Sequence, residues 1–525
     1  MRIIKQIYYD LIKDFFKILN IYIFSYRPEK NSTIEKQTII INNQYHEDFS
    51  WVNYILGNKL KQKGNIVKFL ICGGNSYCER MTYSITKPNC KICHLSNIIR
   101  LKAFGHDYIN TKKFNKDLDV DVEEDNFKNF TNNKFKKLIV NDFDYSLNFN
   151  TSFMHYFKGK TKNLSKNKTV ILKLYNTTVQ TIKSIKRILE IYRPTKIVTI
   201  GAKNIQSGIL FNQAKLNKIS AYSWDVFNQG FKSMFSKDEI AHEQNISNKI
   251  WKRFKLEDLS SDKKKEVENY MFLQSKSLST PWKYYDENII EEEQKILQEL
   301  NIDKSKKIIS IFPNMDWDST NVGIDDAFED SYDFLEKIVK FASKNKDYNV
   351  VIRCHPAEAK VDFHARSTRP VNKYIQEEFK DYINDNLILI EASSNISSYS
   401  LAKISNHRIV YSSTLGLEFS YLKLKTLVAG RAYYKYRGFT EDVVSNENLE
   451  QLLLKSQYNN FLNDNEFQLL EKFIYLSKFR KLFNLDYFKN SQFVLPNLKF
   501  IDNSKTYNNI TDYIMDKRNY LDLDK

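Results

Sequence analysis

Residues 408–440 read RIVYSSTLGLEFSYLKLKTLVAGRAYYKYRGFT and contain a complete strand–helix–strand pattern. Residues 409–411 form a short run of β-branched and aromatic side chains, and residues 427–429 form a second apolar run. Between the two runs, apolar residues recur at helical spacing from Leu415 to Leu422. A strand, a helix and a second strand in this order predict one unit of a parallel α/β sheet.

Three small hydroxyl residues, Ser412, Ser413 and Thr414, follow the first of these strands. Ligands of parallel sheets bind at the carboxyl ends of the strands, and the free N–H groups at a helix start favour phosphate. The cluster therefore predicts a phosphate site, and Glu418, one turn into the helix, is placed to reach the hydroxyls of an attached sugar. The alternative is that the three residues only cap the helix.

The preceding unit of the chain ends in a histidine. Residues 350–354 are predicted to form a buried strand that ends at His355 and Pro356, because proline has no N–H to continue the ladder. We expect His355 at the same edge of the sheet as the hydroxyl cluster. A packed histidine without a functional role is the alternative.

Four segments carry a resemblance to a known family: RCHPAE, ISSYSLA, YSSTLGLEFSYLKLKTLVAG and YRGFTED. They resemble the motifs of bacterial capsule-polysaccharide biosynthesis proteins, which are glycosyltransferases with two Rossmann-like domains, the GT-B architecture. Wider relatives, the Kdo transferases and bacterial sialyltransferases, hold a cytidine nucleotide donor with an HP motif and a Ser/Thr-rich motif. The resemblance is densest from Ile308 to Asp442, and LICGGNSYCER is similar to the first loop of the family.

This resemblance implies an α/β fold with two doubly wound Rossmann-like domains, an N-terminal amphipathic helix and C-terminal helices. The substrate-binding residues that it implies, together with the two glycines after the first long strand, are Gly73, Gly74, Arg353, His355, Pro356, Ser412, Ser413, Thr414 and Glu418. The first domain is expected to supply a carboxylate as general base, and Asp225 and Glu243 are the candidates by position. His355 is the third predicted catalytic residue, since with the hydroxyl cluster it would stabilise the phosphate charge that develops as the donor bond breaks. No cofactor is implied.

Two groups of residues are candidate metal ligands, although this architecture usually needs no metal. Asp316 and Asp318 follow the predicted strand Lys307–Phe312 and either bind a divalent ion or order their loop. Four cysteines with the spacing C-x5-C-x11-C-x2-C either hold a structural metal or pack as reduced thiols; they are Cys72, Cys78, Cys90 and Cys93.

A chain of 525 residues exceeds one typical core, which predicts two domains with extensions. The predicted segments are an N-terminal helix and linker, an acceptor-side domain, a nucleotide-sugar domain and a C-terminal helical part, at residues 1–38, 39–285, 286–445 and 446–525. Residues 39–41, 196–200 and 219–222 are predicted strands of the first domain, with Asp225 beyond the last of them. A helix over residues 331–344 is predicted in the second domain.

The formal charge of +17 favours anionic partners such as a nucleotide donor or a membrane surface, unless it reflects a lysine-rich proteome. No zinc-finger spacing or RNA-binding signature occurs, which argues against nucleic acid. Residues 1–26 predict an amphipathic helix, in which Asp10, Lys13, Asp14 and Lys17 exclude a membrane span. The helix either packs on the protein or lies at a membrane interface. The predicted location is the cytoplasm, with peripheral contact on the inner face of the cytoplasmic membrane.

The predicted function is transfer of a sugar from a nucleotide-activated donor, with a CMP-linked donor as a candidate, to a glycan or lipid-linked glycan of a capsule or surface polysaccharide. A phosphotransferase that uses a CDP-alcohol donor, as in teichoic-acid polymerases, is the nearest alternative, because it also needs a phosphate-binding histidine. A non-catalytic partner in capsule assembly with the same fold is a third possibility. The three differ in whether the chain turns over and in what it transfers.

Overall fold

The computed structural model describes residues 36–43, 50–73, 90–114, 137–159, 166–227, 232–275, 288–323, 325–360, 367–455, 460–485, 488–489, 492–493 and 504–517. The helix predicted over residues 1–26, Gly74 and the side chains of Cys78 and Cys90 lie outside the described part. Within it, no disulfide joins Cys72 to Cys93.

The strands, in chain order, are β1 (Thr38–Asn42), β2 (Ile66–Ile71), β3 (Asp107–Asn110), β4 (Ile139–Val140), β5 (Phe143–Asp144), β6 (Lys196–Ile200), β7 (Ser220–Phe227), β8 (Lys232–Lys237), β9 (Lys307–Phe312), β10 (Tyr348–Arg353), β11 (Leu387–Ile390), β12 (His407–Val410), β13 (Leu427–Val428), β14 (Glu441–Asp442), β15 (Phe483–Asn484), β16 (Phe488–Lys489) and β17 (Gln492–Phe493).

The helices are α1 (Ser50–Gln62), α2 (Cys90–Ala103), α3 (Ser146–Phe157), α4 (Lys168–Tyr192), α5 (Ile205–Leu216), α6 (Asn248–Phe254), α7 (Ser261–Ser275), α8 (Glu293–Glu299), α9 (Ser331–Lys344), α10 (Ala357–Lys360), α11 (Val371–Glu378), α12 (Ser398–Ile404), α13 (Leu415–Tyr421), α14 (Asn446–Leu454), α15 (Asp464–Tyr475) and α16 (Lys505–Ile514). Short 3-10 turns occupy Thr111–Phe114, Ala241–Glu243 and Lys380–Tyr382, and a π turn, Leu476–Arg480, extends α15.

The first sheet has seven strands in the order β15-β8-β7-β6-β1-β2-β3. From β7 to β3 all neighbours are parallel, whereas β8 and β15 are antiparallel. The central strand β1 is covered on both faces, so Ile39, Ile40 and Ile41 are fully buried. A parallel strand with helices on both sides needs such a continuous apolar run, which confirms the strand predicted at residues 39–41.

The second sheet has six parallel strands in the order β11-β10-β9-β12-β13-β14. Counted from β9, this is the order 3-2-1-4-5-6 of a doubly wound Rossmann-like sheet, whose direction of winding reverses between β9 and β12. Ligands bind at such a reversal point. The mostly parallel first sheet and the parallel second sheet confirm the predicted fold class.

Helix α9 shows how local sequence sets an element of this domain. The side chain of Asp330 accepts the N–H groups of Tyr332 and Asp333, which caps the helix start. One face of the helix then buries Phe334, Leu335 and other apolar residues against β9 and β10. The observed bounds, Ser331–Lys344, equal the predicted ones.

Strand β7 corrects one prediction. It extends through Phe227, so Asp225 lies within the strand, opposite Met234 of β8, and not beyond its end. Aspartate is disfavoured in strands, which is why the sequence pattern placed the strand end before it. Antiparallel pairing with β8 outweighs that local preference.

The two hydrophobic cores include residues from outside the predicted domain bounds. Trp251, Phe254 and Met271 belong to the same core cluster as the second sheet, although they precede residue 285. Conversely, Tyr507 and Ile510 of α16 pack in the core of the first sheet, and β15 pairs with β8. The chain therefore crosses between the two sheets more than once. The division at 285 and 445 remains a prediction.

Candidate functional site

A cavity of 400 Å³ lies between the carboxyl edge of the second sheet and the β7–β8 side of the first. It brings together five of the predicted site residues from the second sheet, His355, Ser412, Ser413, Thr414 and Glu418, with Asp225 of the first. Residues far apart in the sequence thus share one partly open cavity.

His355 follows β10 and lines this cavity. Its Nδ1 accepts the backbone N–H of Ala357 at 3.1 Å, and burial lowers the pKa of the imidazole to about 4. The ring is therefore neutral near pH 7, with its proton on Nε2. Such a ring is a hydrogen-bond donor to a ligand oxygen and does not add a full positive charge.

Ser412 and Ser413 have different hydrogen-bond partners. The Ser412 hydroxyl donates to Oδ1 of Asn321 and accepts from Nδ2 of Asn314 at 3.3 Å, so it joins the loop after β9 to the end of β12. The Ser413 hydroxyl accepts the N–H of Leu415 at 3.2 Å. The capping alternative therefore describes part of what Ser413 does, and Ser412 organises the point where the sheet order reverses.

Glu418 lines the cavity behind these serines. Burial raises the pKa of its carboxyl group, against hydrogen bonds from Tyr399 and Thr414 and the positive charge of Lys478. The Tyr399 hydroxyl donates to Oε2. Thr414 itself is exposed at the helix start and its side chain makes no capping bond to the backbone.

Asp225 takes part in a hydrogen-bonded chain that crosses from one sheet to the other. Its Oδ2 lies 2.7 Å from Nδ1 of His242, and Nε2 of His242 lies 2.5 Å from Oγ of Ser319, in the loop after β9. Burial alone would lower the pKa of His242, but the charge and hydrogen bond of Asp225 outweigh burial and raise that pKa. When the ring is neutral, Asp225 holds the Nδ1 proton and leaves Nε2 as the acceptor.

Glu243, the other candidate base, is held by two cations. Its Oε1 lies 3.4 Å from Nζ of Lys203 and 3.3 Å from a guanidinium nitrogen of Arg431. It lines a smaller, adjoining cavity with His242. Oε1 of Glu243 is therefore already engaged in two ion pairs.

Three predicted substrate-binding residues do not line the cavity. The guanidinium of Arg353 is buried and donates to the backbone carbonyls of Cys354, Glu391 and Ser394 at 2.8, 2.8 and 3.1 Å, so it orders the loops after β10 and β11. Pro356 lies beside His355 but outside the lining.

Gly73 lies in the turn after β2 in a left-handed conformation (φ +77°), where an added Cβ would lie 2.3 Å from Oδ1 of Asn110. It allows β2 and β3 to approach closely and also lies outside the lining of this cavity.

The two aspartates of the loop after β9 are in different environments. Asp316 is buried and accepts hydrogen bonds from Tyr332 and Ser367, whereas Asp318 lines the cavity. Within the described part of the chain, no three His, Cys, Asp or Glu side chains converge as metal ligands would.

Sequence reasoning missed three residues of the site: His242, Ser319 and Lys478. The His-Glu pair at 242–243 is a visible signal in the sequence, although the sequence analysis predicts only its glutamate as a site residue. Lys478 had no local signal, since it lies in the π turn after α15. Its Nζ donates to Oε1 of Gln244 at 2.8 Å and lies 4.4 Å from the ring centre of Tyr433, and burial lowers its pKa to about 7.

Two Rossmann-like sheets with a cavity between them define a protein of the GT-B type. Residues 210–476, slightly more than half of the chain, match the family described as "Capsule polysaccharide biosynthesis protein". The chain belongs to this family. No curated protein matches it.

Solved structures with a similar fold include the β-Kdo 2,4 transferase of Thermosulfurimonas dismutans KpsC, with 10% identity over 52% of this chain and 78% of that one and a TM-score of 0.32. The β-Kdo 2,7 transferase of the same protein has 10% identity over 59% and 84%, with a TM-score of 0.34. A Neisseria meningitidis UDP-GlcNAc 2-epimerase has 14% identity over 84% and 99%, with a TM-score of 0.25. Among the helices that the structure describes here, none combines the length and apolarity that a membrane crossing requires.

Proposed function

We propose that this protein is a glycosyltransferase that moves a sugar from a nucleotide-activated donor, with CMP-linked sugars as the first candidates, to a glycan acceptor of a capsule or surface polysaccharide. One observation carries the proposal: a single cavity joins the donor-type residues His355 and Ser412 to the proton acceptor pair Asp225–His242. Membership of a capsule biosynthesis family supports the same conclusion.

On the donor side, the Nε2–H of His355 donates to the phosphate that leaves with the nucleotide. Negative charge grows on that phosphate as the bond to the sugar breaks, and a donor fixed in a buried site stabilises such charge more than water does. Lys478, in the same cavity, supplies a positive charge when protonated. The carboxylate of Glu418 accepts hydrogen bonds from the ribose hydroxyls of the nucleotide.

On the acceptor side, His242 takes the proton of the attacking hydroxyl and Asp225 orients the ring. The acceptor oxygen replaces Ser319 at Nε2, forms the new bond to the anomeric carbon, and the bond from that carbon to the phosphate oxygen breaks. The proton stays on His242 and its charge is balanced by Asp225. Glu243 is the poorer candidate because two cations already surround it.

The His355→Ala variant tests the donor side. We expect turnover with purified donor and acceptor to fall about 10²–10³-fold, the usual effect of removing one donor to a developing negative charge. The melting temperature should stay near that of the wild type. His94→Ala, in α2 and outside the cavity, is the matched control and should retain activity.

Unchanged turnover in His355→Ala would overturn the donor assignment. The mass of the product separates the reaction types: a product that carries the phosphate of the donor would indicate a phosphotransferase. If no donor is consumed by the wild type, the non-catalytic alternative stands.

A further inference from the structure

A second cavity, of 210 Å³, adjoins the first and is lined by four basic side chains. We call it the basic chamber, defined by Lys203, Arg431, Lys435 and Arg437. The two cavities share the wall residues His242, Gln244, Thr320, Ser412 and Tyr433. Lys203 follows β6 of the first sheet, whereas the other three cations lie in the loop after β13. The chamber therefore forms only when the two sheets meet.

The lining of the basic chamber holds more basic than acidic side chains: four cations, but only two carboxylates, those of Glu243 and Asp326. The carboxylates of Asp318, Asp325 and Asp442 lie outside this lining and also act on these cations. Glu243 is shared between two of the cations, and Asp326 lies 3.4 Å from Nζ of Lys435. Lys203 and Lys435 are only 3% and 5% exposed. Both are also held by backbone carbonyls, Lys203 by that of Ser319 and Lys435 by that of Val443, and burial lowers the pKa of Lys203. Water therefore screens little of the charge that these side chains carry.

Arg437 forms no ion pair with a described residue, although the charge of Asp442 acts on it. Its guanidinium donates to the backbone carbonyl of Ile246 at 2.7 Å and to Oδ1 of Asn248 at 2.9 Å, and both acceptors are neutral. In the part of the chain that the structure describes, its buried Nε has no acceptor. An anionic ligand in the chamber would supply an acceptor for this nitrogen.

The position of the chamber indicates which ligand carries that anion. His355, Ser413 and Glu418 line only the larger cavity, so the donor phosphate and ribose have their partners there. His242 lines both cavities. An acceptor whose hydroxyl meets His242 can therefore extend into the basic chamber, away from the donor.

We propose that the basic chamber binds an anionic group of the acceptor, so that the acceptor glycan bears a carboxylate or a phosphate on a sugar near the attacking hydroxyl. This inference rests on the proposed transfer at His242. It adds the chemical class of the acceptor, which the donor-side residues do not specify.

Affinity chromatography with matched variants tests the proposal. The full-length protein is applied to immobilised polygalacturonate, immobilised phosphorylated mannan and a neutral galactan, and eluted with salt. Arg431→Gln combined with Arg437→Gln removes two charges from the chamber. Lys344→Gln combined with Lys346→Gln removes two charges from an exposed surface of the second domain and leaves the same net charge.

We expect the wild type to bind at least one of the two anionic glycans more tightly than the galactan, and the polymer that binds identifies carboxylate or phosphate. The chamber variant should lose roughly ten- to hundredfold in affinity, as expected for one or two charged hydrogen bonds. The surface variant should lose little. Melting temperatures of both variants show whether a loss of binding reflects unfolding, and Arg431→Gln alone, at an exposed side chain, serves if the double variant does not fold.

Equal elution of the two variants, or equal retention on anionic and neutral glycans, would overturn the proposal. Release of the bound protein by CMP or UDP would also overturn it, because the chamber would then hold nucleotide phosphate. Nucleotide affinity, measured separately in each variant, should be unchanged. Nucleotide affinity thus tests the donor site separately from glycan retention, which tests the basic chamber.

Discussion

Two histidines in one cavity differ because their nearest neighbours differ. At His355, burial outweighs the charge of Asp318 and lowers the pKa of the imidazole to about 4. His242 faces Asp225, whose charge and hydrogen bond raise the pKa despite burial. The first ring is suited to donate a hydrogen bond at neutral pH, and the second to accept and keep a proton. A pair of titrating groups with pKa values moved apart is a common feature of acid–base sites.

The Asp225→Asn variant is predicted to shift the acidic limb of the pH–rate profile to lower pH. The base must be neutral to act, and Asp225 raises the pKa of His242 above 6.5, so the wild-type limb lies above that value. Without the carboxylate the pKa of His242 falls, so the acidic limb moves to lower pH. The plateau rate also drops, because the imidazole of His242 loses the hydrogen bond that orients it. Asp347→Asn, at an exposed turn, is the control. An unmoved limb would exclude His242 as the titrating base.

At the scale of elements, the site depends on the junction between β9, β12 and α13. The strand order reverses there, and Ser412 bonds to both Asn314 and Asn321 of the loop after β9. The hydroxyl cluster therefore has two tasks that the sequence pattern does not separate. One is to hold the loops of the sheet, and the other is to line the cavity.

Single alanine variants are predicted to separate these tasks. Ser412→Ala leaves buried amide groups without a partner and should cost about 1–3 kcal/mol of unfolding free energy. Ser413→Ala removes one capping acceptor and should cost about 1 kcal/mol. Thr440→Ala, whose hydroxyl bonds to Asp442 away from the cavity, is the control for nucleotide binding.

Unfolding and nucleotide titration are measured on the same preparations. If the combined variant Ser412→Ala with Ser413→Ala unfolds early yet binds CMP and UDP as the wild type does, the hydroxyls are structural. The donor phosphate would then depend on His355 and Lys478.

At the scale of the molecule, the C-terminal part of the chain completes the first sheet. Tyr507, Ile510 and Ile514 of α16 are fully buried in the same cluster as Trp51 of α1. Asp516 bonds to Lys196, Lys237 and Tyr222 of the first sheet. The first sheet is therefore stabilised by residues that follow the second sheet in the sequence.

Ile510→Ala is predicted to lower the unfolding free energy by about 2–5 kcal/mol, the usual cost of emptying a buried isoleucine site. Ile191→Ala, at a side chain that is 59% exposed, should change it by less than about 0.5 kcal/mol. Urea unfolding followed by tryptophan fluorescence compares the two, because Trp51 reports on this core. Equal midpoints would mean that α16 adds nothing to the stability of the first sheet.

Local sequence determined the elements. The apolar runs at β1, β6 and β9 and the capped helix α9 were predicted at or near their observed bounds, because hydrophobic periodicity and capping act over a few residues. The position of His355 at a strand end followed from the proline beside it. The domain limits and the roles of the site residues remain predictions.

Only the tertiary structure decided which side chains meet. It placed His242 between Asp225 and Ser319, placed Lys478 in the cavity, and brought the guanidinium of Arg353 to the carbonyls of two loops. It also packed α16 against the core of the first sheet. These contacts join residues far apart in the chain, and the side chains involved have no periodic or local pattern. Their pairing depends on how the two sheets pack, which no short segment of the sequence encodes.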